Sequence, residues 1–254
     1  MIDHDNLEEF SDGENYDREN GGLHPSYAFY TELAVATGGP VLDLACGTGL
    51  LTIPIARQGL ATTGLDLSPS MLAYARRKAA AEGLKVVWLH GDVRSFQLEQ
   101  RFRFISMTGN AFQAMLTVAD QEALLARVAK HLEPGGCFAF ETRNPTGHDL
   151  STCLDEEPWQ QYVDTRGNLV TMTTTQRYDP ERQVLHWTVI RRWEEQGEPK
   201  LRASRIACRF TGPDELNATI ARSGLTLAAQ YGWWDRAPLT PASPTIISVL
   251  RKAP

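Results

Sequence analysis

The sequence predicts an α/β fold with a doubly wound, mostly parallel sheet that carries a β-rich antiparallel insertion after its fifth strand. Three observations carry this prediction. Strand-like apolar runs alternate with helical runs over residues 26–143, which indicates βαβ units. From about residue 146 to 210 the chain becomes rich in Thr, Val, Trp and Tyr. After residue 211, one helix and a closing pair of strands complete the pattern.

Each helix and strand predicted over residues 26–143 rests on a local sequence signal. A helix over 26–37 stops at Gly38-Gly39-Pro40, and Ser68-Pro69 has the form of an N-cap followed by proline in the first turn. Short apolar runs predict strands over residues 41–45, 61–67, 85–90 and 102–107, and residues 134–142 predict a turn followed by a fifth strand. Further helices are predicted over residues 50–58, 70–83 and 120–132.

The later segments define the expected domain division. Residues 169–195 surround the turn Asp179-Pro180-Glu181-Arg182 and predict a hairpin, and residues 200–210 predict a third strand. A helix follows over 211–224, capped by Thr211 or Asp214, and two strands close the chain over residues 225–234 and 245–252. We therefore expect an acidic segment at 1–25, a main domain of 26–145 and 211–254, and a substrate lid at 146–210.

Charge and cysteine use limit the possible partners. The net charge is −6, but residues 1–20 alone contribute −7, so the rest of the chain is nearly neutral and has no overall cationic excess of the kind that a nucleic-acid partner favours. Charge counts leave a local basic patch open. The acidic segment is expected to be a solvated, mobile end. No apolar window approaches the ~20 residues of a membrane helix, and no signal-peptide pattern occurs. The four cysteines form no CxxC pair, which indicates reduced thiols in a cytoplasmic protein without a metal site. We expect either a monomer or a homodimer.

The stretch "VLDLACGTGLLTIPIA" (41–56) has the form of a strand, a glycine turn and a helix start, which brings backbone close to a nucleotide-like ligand. The dinucleotide pattern G-x-G-x-x-G/A begins at Gly47 and Gly49, but its third position is Thr52. A phosphate-binding P-loop would need Gly-Lys-Ser/Thr, which does not follow. The loop therefore favours another nucleoside ligand.

Three carboxylates end three successive predicted strands. Asp43 lies within the first strand, Asp66 ends the second, and Asp92 follows the third. Open α/β sheets bind ligands at this edge, where an acid can accept hydrogen bonds from both hydroxyls of a ribose. A pyrophosphate would be repelled by Asp43, so the set favours a ligand with a cationic amino acid end, a ribose and an adenine.

Four linked motifs resemble the class I S-adenosylmethionine-dependent methyltransferases. These are "VLDLACGTG", "GLDLSPSMLAYAR", "GDVRSF" and "LEPGGCFAFET", in that order within residues 38–143. The C-terminal "RFTGPDELNATIARSGLTLAAQYGWW" is similar to members that act on small molecules. The resemblance implies a Rossmann-like seven-stranded sheet, S-adenosylmethionine as cofactor, S-adenosylhomocysteine as product, and a small-molecule methyl acceptor.

The resemblance also implies a role for each matching residue. The methionine end of the cofactor would lie against Asp43 and the loop residues Ala45, Cys46, Gly47, Thr48 and Gly49. Asp66 would bind the ribose, with Leu67 and Met71 beside the adenine, while the Gly91-Asp92-Val93 loop would bind the adenine edge. The sulfonium would lie near Thr108, Gly109 and Asn110, and Tyr16 would close over the cofactor, an event that we expect to order residues 1–20.

Transfer of a methyl group from a sulfonium is an in-line displacement to nitrogen or oxygen, in which the protein mainly orients the acceptor and excludes water. His148 and Tyr16 are the candidate catalytic residues, and either one could instead be a packing residue. For the acceptor, the candidates are Arg143, facing an anionic group, and the aromatic residues Trp187, Tyr231 and Trp233. Sheet packing or a dimer contact explains the aromatic residues equally well.

Three other functions remain open at this point. A nucleic-acid amino-methyltransferase would be expected to carry D/N/S-P-P-Y/F after the fourth strand, where this chain reads "TGNAF". A protein acceptor is a second alternative. A noncatalytic S-adenosylmethionine-binding protein is a third, and it would bind the cofactor without turnover.

Overall fold

The structure is a computed structural model that describes residues 6–22 and 24–253. The main sheet contains seven strands in the order β10-β11-β5-β4-β1-β2-β3. The strands β1 to β5 run parallel, and β11 is antiparallel to both β5 and β10. The predicted doubly wound, mostly parallel seven-stranded sheet is therefore confirmed. Its strands are Val41–Leu44 (β1), Thr62–Asp66 (β2), Val86–His90 (β3), Phe102–Met107 (β4), Leu132–Arg143 (β5), Leu225–Tyr231 (β10) and Thr245–Lys252 (β11).

Helices cover both faces of this sheet. They are Gly13–Asn20 (α1), Pro25–Thr37 (α2), Thr52–Arg57 (α3), Pro69–Ala81 (α4), Val118–His131 (α5) and Pro213–Arg222 (α6). One core cluster joins α5 and α6 to the sheet through Leu124, Leu125 and Leu216. A second cluster joins α2 and α3 to the opposite face through Phe29, Tyr30 and Ile55. The two clusters explain why the strands are apolar on both sides.

The helix caps follow the sequence in one case and depart from it in another. Ser68 accepts a hydrogen bond from the Met71 amide and begins α4, as predicted. The predicted caps of α6, Thr211 and Asp214, are both wrong. Gly212 is the N-cap residue and no side chain caps this helix, because Asp214 already lies in its first turn.

The insertion forms a separate antiparallel sheet in the order β6-β7-β8-β9. Its strands are Cys153–Val163 (β6), Leu169–Asp179 (β7), Val184–Glu195 (β8) and Glu198–Arg209 (β9). The predicted hairpin corresponds to β7 and β8, and the predicted third strand corresponds to β9. The edge strand β6 was not predicted, because its sequence is strongly polar. Almost all of its residues are exposed.

The acidic N-terminal segment is folded, and the expectation of a solvated, mobile end is wrong for residues 6–20. These residues form a 3₁₀ turn at Glu9–Ser11 and the helix α1. Basic residues of the inserted sheet and of α4 neutralise their carboxylates: Glu9 and Glu19 pair with Arg191, Glu8 pairs with Arg205, and Asp17 pairs with Lys78. Residues 1–5 lie outside the described part.

In the part of the chain that the structure describes, no helix is long and apolar enough to span a bilayer.

Candidate active site

A cleft lies at the carboxyl ends of the parallel strands, where the strand order reverses between β1 and β4. Ligands of open α/β sheets bind at this position. The N-terminal segment and the inner face of β9 close the cleft on its open side. Its walls contain Asn6, Leu7, Phe10, Tyr16, Ala45, Gly47, Asp66, Leu67, Ser68, Met71, Asp92, Val93, Arg94, Met107, Thr108, Gly109, Asn110, Ala111, Ala114, Met115, Arg143, Ile206 and Cys208.

The glycine turn after β1 forms one wall of the cleft. Ala45 and Gly47 have φ values of 52° and 53°, so the chain turns in the left-handed region. The Gly47 amide donates to Asp66 Oδ2 at 2.7 Å. Gly49 lies outside the cleft, with φ of 80°, and a Cβ built there would stand 2.7 Å from the Trp88 ring. The second glycine therefore permits close packing of the loop on β3.

Asp66 ends β2 at the rim of the cleft. Its Oδ1 accepts from the Ser68 amide at 2.7 Å, and its Oδ2 accepts from Gly47. Burial raises the pKa of this carboxyl group, and the two amides oppose that shift. Each oxygen keeps a further lone pair, so the carboxylate retains acceptor capacity for a ligand.

Asp43 lies beneath the loop and does not line the cleft. It is fully buried, and it accepts hydrogen bonds from Thr52 Oγ1 at 2.6 Å and Ser106 Oγ at 2.9 Å. Burial raises the pKa of Asp43 to about 7, with the two hydroxyl donors opposing and Asp66 adding to the shift. Thr52, the residue that breaks the dinucleotide pattern, is thus a direct partner of Asp43.

The loop after β3 contributes Asp92 and Val93 to the cleft. Arg94 donates to Asp92 through Nε at 3.0 Å and through Nη2 at 2.6 Å. These hydrogen bonds hold the pKa of the Asp92 carboxyl group below its usual value. The sequence prediction missed Arg94, since an exposed arginine two residues after an acid has no distinctive pattern.

A buried carboxylate organises the loop after β4. Glu141 on β5 accepts from Thr108 Oγ1 and from the Asn110 amide, both at 3.1 Å, and from the Tyr30 hydroxyl. Burial raises the pKa of Glu141. Asn110 has a left-handed φ of 57°, and its buried Oδ1 has no hydrogen-bond partner among the described residues. Neither Glu141 nor Tyr30 was predicted, because both read in the sequence as ordinary core positions.

The N-terminal segment closes the cleft from above. Phe10 and Tyr16 form an edge-to-face pair with centroids 5.9 Å apart, and the Phe10 carbonyl accepts from Ser68 Oγ at 2.8 Å. The Asn6 side chain pairs with the Ala207 backbone of β9: its Oδ1 accepts from the Ala207 amide at 2.8 Å, and its Nδ2 donates to the Ala207 carbonyl at 3.0 Å. Burial raises the pKa of the Tyr16 phenol, so this side chain is a neutral donor.

The cleft ends at Arg143, the last residue of β5. Gln113 Oε1 accepts from the Arg143 amide at 3.2 Å and from its Nη1 at 3.1 Å, and the guanidinium carbon lies 5.6 Å from the Trp187 ring centroid. Gln113 is fully buried and its Nε2 donates to the Arg209 carbonyl. Trp187 supports Arg143 from outside the cleft. Gln113 was not predicted.

Several predicted site residues do not line the cleft. Cys46, Thr48 and Gly91 lie behind its wall, where Thr48 donates to Asp17 of α1. His148 packs near Phe210 at 5.7 Å, and burial lowers its pKa. Tyr231 and Trp233, predicted as acceptor residues, are not among the residues that line this cleft. Tyr231 packs on Phe29 of α2, and Trp233 packs on Trp234, because β10 lies at the far edge of the sheet.

A doubly wound sheet with a glycine turn after β1 and a carboxylate at the end of β2 defines a nucleoside-binding α/β protein. The sequence model of a family described as "Methyltransferase domain" matches residues 41–136. The structure of the CcbJ methyltransferase from Streptomyces caelestis superposes with a TM-score of 0.82 and 26% identity, over 96% of this chain and 98% of that one. The chain is thus similar to the S-adenosylmethionine-dependent methyltransferases in sequence over residues 41–136 and in fold over almost its whole length.

Further relatives extend this comparison. The cypemycin N-terminal methyltransferase of Streptomyces sp is 25% identical over 94% of this chain and 95% of its own length. The dTDP-3-amino-3,6-dideoxy-alpha-D-glucopyranose N,N-dimethyltransferase of Streptomyces fradiae is 33% identical over 51% of this chain, which spans 48% of that relative. This protein is thus an enzyme that uses S-adenosylmethionine.

Proposed function

We propose that this enzyme transfers the methyl group of S-adenosylmethionine to an amine nitrogen of a small molecule, with both reactants in the described cleft. The observation that carries the proposal is the continuity of one cleft from Asp66 and Val93, past the loop after β4, to β9 and Arg143. One end has the hydrogen-bond acceptors that a nucleoside needs, and the other end is lined mainly by apolar side chains.

Several side chains suit the cofactor. Asp66 has free lone pairs for the ribose hydroxyls, with Leu67 and Met71 beside the base and Asp92 and Val93 at its edge. The unpartnered Asn110 Oδ1 suits an ammonium or a polarised methyl group near Thr108 and Gly109. The backbone of Ala45 and Gly47 would contact the methionine end. Asp43, Cys46, Thr48, Gly49 and Gly91 would act by shaping this wall.

S-adenosylmethionine supplies a methyl group that is already activated, so the chain's own residues need mainly to orient the acceptor and exclude water. The N-terminal segment with Phe10 and Tyr16 covers the cleft, and the neutral Tyr16 phenol can donate a hydrogen bond but not act as base. His148 lies outside the wall, and we propose a packing role for it.

An amine acceptor is favoured over a hydroxyl. Among the described lining residues there is no histidine, and the two carboxylates lie at the nucleoside end. A neutral amine attacks through its lone pair and loses its proton afterwards, whereas a hydroxyl gains more from a base. The names of two relatives, an N-terminal methyltransferase and an amino-sugar N,N-dimethyltransferase, agree with this proposal.

We propose that residues 146–210 form the lid of the acceptor site over a main domain of residues 26–145 and 211–254. Ile206 and Cys208 of β9 face the cleft, and the N-terminal segment seals the junction. A cleft enclosed in this way suits a small molecule better than a nucleic acid or a folded protein.

Calorimetric titration tests the cofactor part of the proposal. S-adenosylmethionine and S-adenosylhomocysteine are expected to bind wild type, and NAD is expected not to bind. Asp66→Ala should lose at least tenfold in affinity, while Asp155→Ala, at an exposed position of β6, should match wild type. Folded protein that binds neither sulfur nucleoside would overturn the proposal.

The acceptor part needs a turnover assay. Release of S-adenosylhomocysteine is measured with a panel of small amines and with the corresponding alcohols. Turnover with amines and not with alcohols is the expected result. Turnover with alcohols alone would overturn the assignment to nitrogen and leave the cofactor assignment intact.

A further inference from the structure

Arg143 differs from the other buried or cleft-lining arginines in its partners. Arg191 pairs with Glu9 and Glu19, Arg209 pairs with Glu215, and Arg94 pairs with Asp92 and Asp120. Within residues 6–22 and 24–253, no carboxylate forms an ion pair with Arg143. Its partners are the Gln113 amide, the Cys208 thiol and the Trp187 ring, which orient the guanidinium without neutralising its charge.

The support of Arg143 is rigid. Gln113 is fully buried, and it is fixed from both sides because its Oε1 accepts from Arg143 while its Nε2 donates to the Arg209 carbonyl at 3.1 Å. The Arg143 backbone amide also binds Gln113, so backbone and side chain are held together. A guanidinium held in this way keeps its other N–H donors for the cleft.

The surroundings strengthen the field of this charge. Met115, Ala114, Ile206 and Cys208 line the same part of the cleft, and burial raises the pKa of the Cys208 thiol, which is therefore neutral. A positive charge beside an apolar wall attracts an anion more strongly than one in open solvent.

We infer that the methyl acceptor carries an oxyanion, a carboxylate or a phosphate, that binds Arg143. This inference rests on the proposed function, since it concerns the acceptor of the same cleft. Arg143 then determines specificity: it selects amines that carry a negative group and turns the amine away from the guanidinium, toward the loop after β4.

The test uses the protein saturated with S-adenosylhomocysteine, whose binding is measured first. Inorganic pyrophosphate, benzoate and the neutral benzamide are then titrated by calorimetry. Saturable binding of pyrophosphate indicates a phosphate group on the acceptor, saturable binding of benzoate indicates a carboxylate, and benzamide should not bind. A failure of the first titration would count against the proposed function rather than against Arg143.

Two variants test the role of the uncompensated charge. Arg143→Gln removes the charge, and Gln113→Glu places a carboxylate against the guanidinium at nearly constant shape. Each should lower oxyanion affinity by roughly tenfold to a hundredfold, the range of charge-assisted hydrogen bonds, with unchanged affinity for S-adenosylhomocysteine. The control Arg222→Gln, outside the cleft in an exposed pair with Glu122, should bind as wild type. Absence of oxyanion binding to the loaded wild type, or wild-type binding by both variants, would overturn the inference.

Discussion

Arg191 on β8 donates to Glu19 of α1 at 2.9 Å, although the two residues are 172 positions apart in the chain. Their side chains are only 6% and 5% exposed. Glu9 joins the same guanidinium at 3.1 Å, and Ser204 of β9 completes the network. This buried cluster fastens the segment that carries Phe10 and Tyr16, two residues that line the cleft, to the inserted sheet.

Arg191→Met is predicted to loosen the N-terminal segment. Loss of one partner leaves two buried carboxylates uncompensated, a change that typically costs about 3–5 kcal/mol. The variant should unfold earlier in urea, exchange amide protons faster over residues 9–20, and bind S-adenosylhomocysteine at least tenfold more weakly.

Arg192→Met is the matched control for this prediction. The neighbouring arginine pairs with Glu156 at the surface, where solvent screens the interaction. Its stability and its affinity for S-adenosylhomocysteine should stay close to wild type. Equal behaviour of the two variants would show that Arg191 does not fasten the cover.

Local sequence predicted that Asp66 and the glycine turn after β1 lie at the same edge of the sheet. Asp66 and the glycine turn lie within 20 residues of each other in adjacent βα units, so chain order and sheet rules bring them together. The start of α4 at Ser68 and Pro69 was also predicted from local sequence, because an N-cap and a proline in the first turn are adjacent in the chain.

Long-range pairing could not be predicted in the same way. Eight acids in a short segment resemble a disordered tail, and the cations that neutralise several of them lie more than 150 positions away. The number of aromatic residues in a segment likewise does not show which of them face the cleft. Tyr231 and Trp233 therefore looked like acceptor residues, yet they pack at the far edge of the sheet near α2.

Asp43 is predicted to make stability fall as pH rises. Its pKa is about 7 in the fold, against 3.8 as the ordinary value. The folded state therefore holds a proton that the unfolded state releases, and this contribution is complete below pH 3.8 and lost as pH approaches 7. The effect is up to ~4 kcal/mol.

The measurement compares urea unfolding of wild type and Asp43→Asn at several pH values from 5 to 8. The free energy of unfolding of wild type should fall relative to that of Asp43→Asn as pH rises to 7. Above pH 7 the difference between the two should stay constant. A difference that does not change with pH would mean that Asp43 is ionised throughout this range.

Glu141 is predicted to affect cofactor binding without touching the cofactor. Glu141→Ala leaves the Thr108 hydroxyl, the Asn110 amide and the Tyr30 hydroxyl without their acceptor. A buried donor without a partner costs about 1–3 kcal/mol, so the loop after β4 should lose its conformation. We expect at least a tenfold loss of S-adenosylhomocysteine affinity by calorimetry.

Tyr30→Phe separates this effect from general destabilisation. It removes one bond to Glu141 and keeps both bonds to the loop, so its melting temperature should fall while its affinity stays near wild type. Equal losses of affinity in Tyr30→Phe and Glu141→Ala would argue against a specific role of Glu141 in the loop.

Gly49→Ala is predicted to destabilise the fold through two effects, the left-handed backbone conformation of residue 49 and a steric contact with Trp88. Gly49 and Gly59 have nearly the same φ, 80° and 78°, so alanine meets a similar conformational penalty of about 1–2 kcal/mol at both positions. A Cβ at position 49 meets the Trp88 ring at 2.7 Å, whereas a Cβ at position 59 meets nothing within 4 Å. The melting temperature should therefore fall further for Gly49→Ala than for Gly59→Ala. In a Trp88→Leu background the two alanine variants should become similar, because the steric contact is gone; a gap that persists there would assign the cost to the backbone of the loop instead.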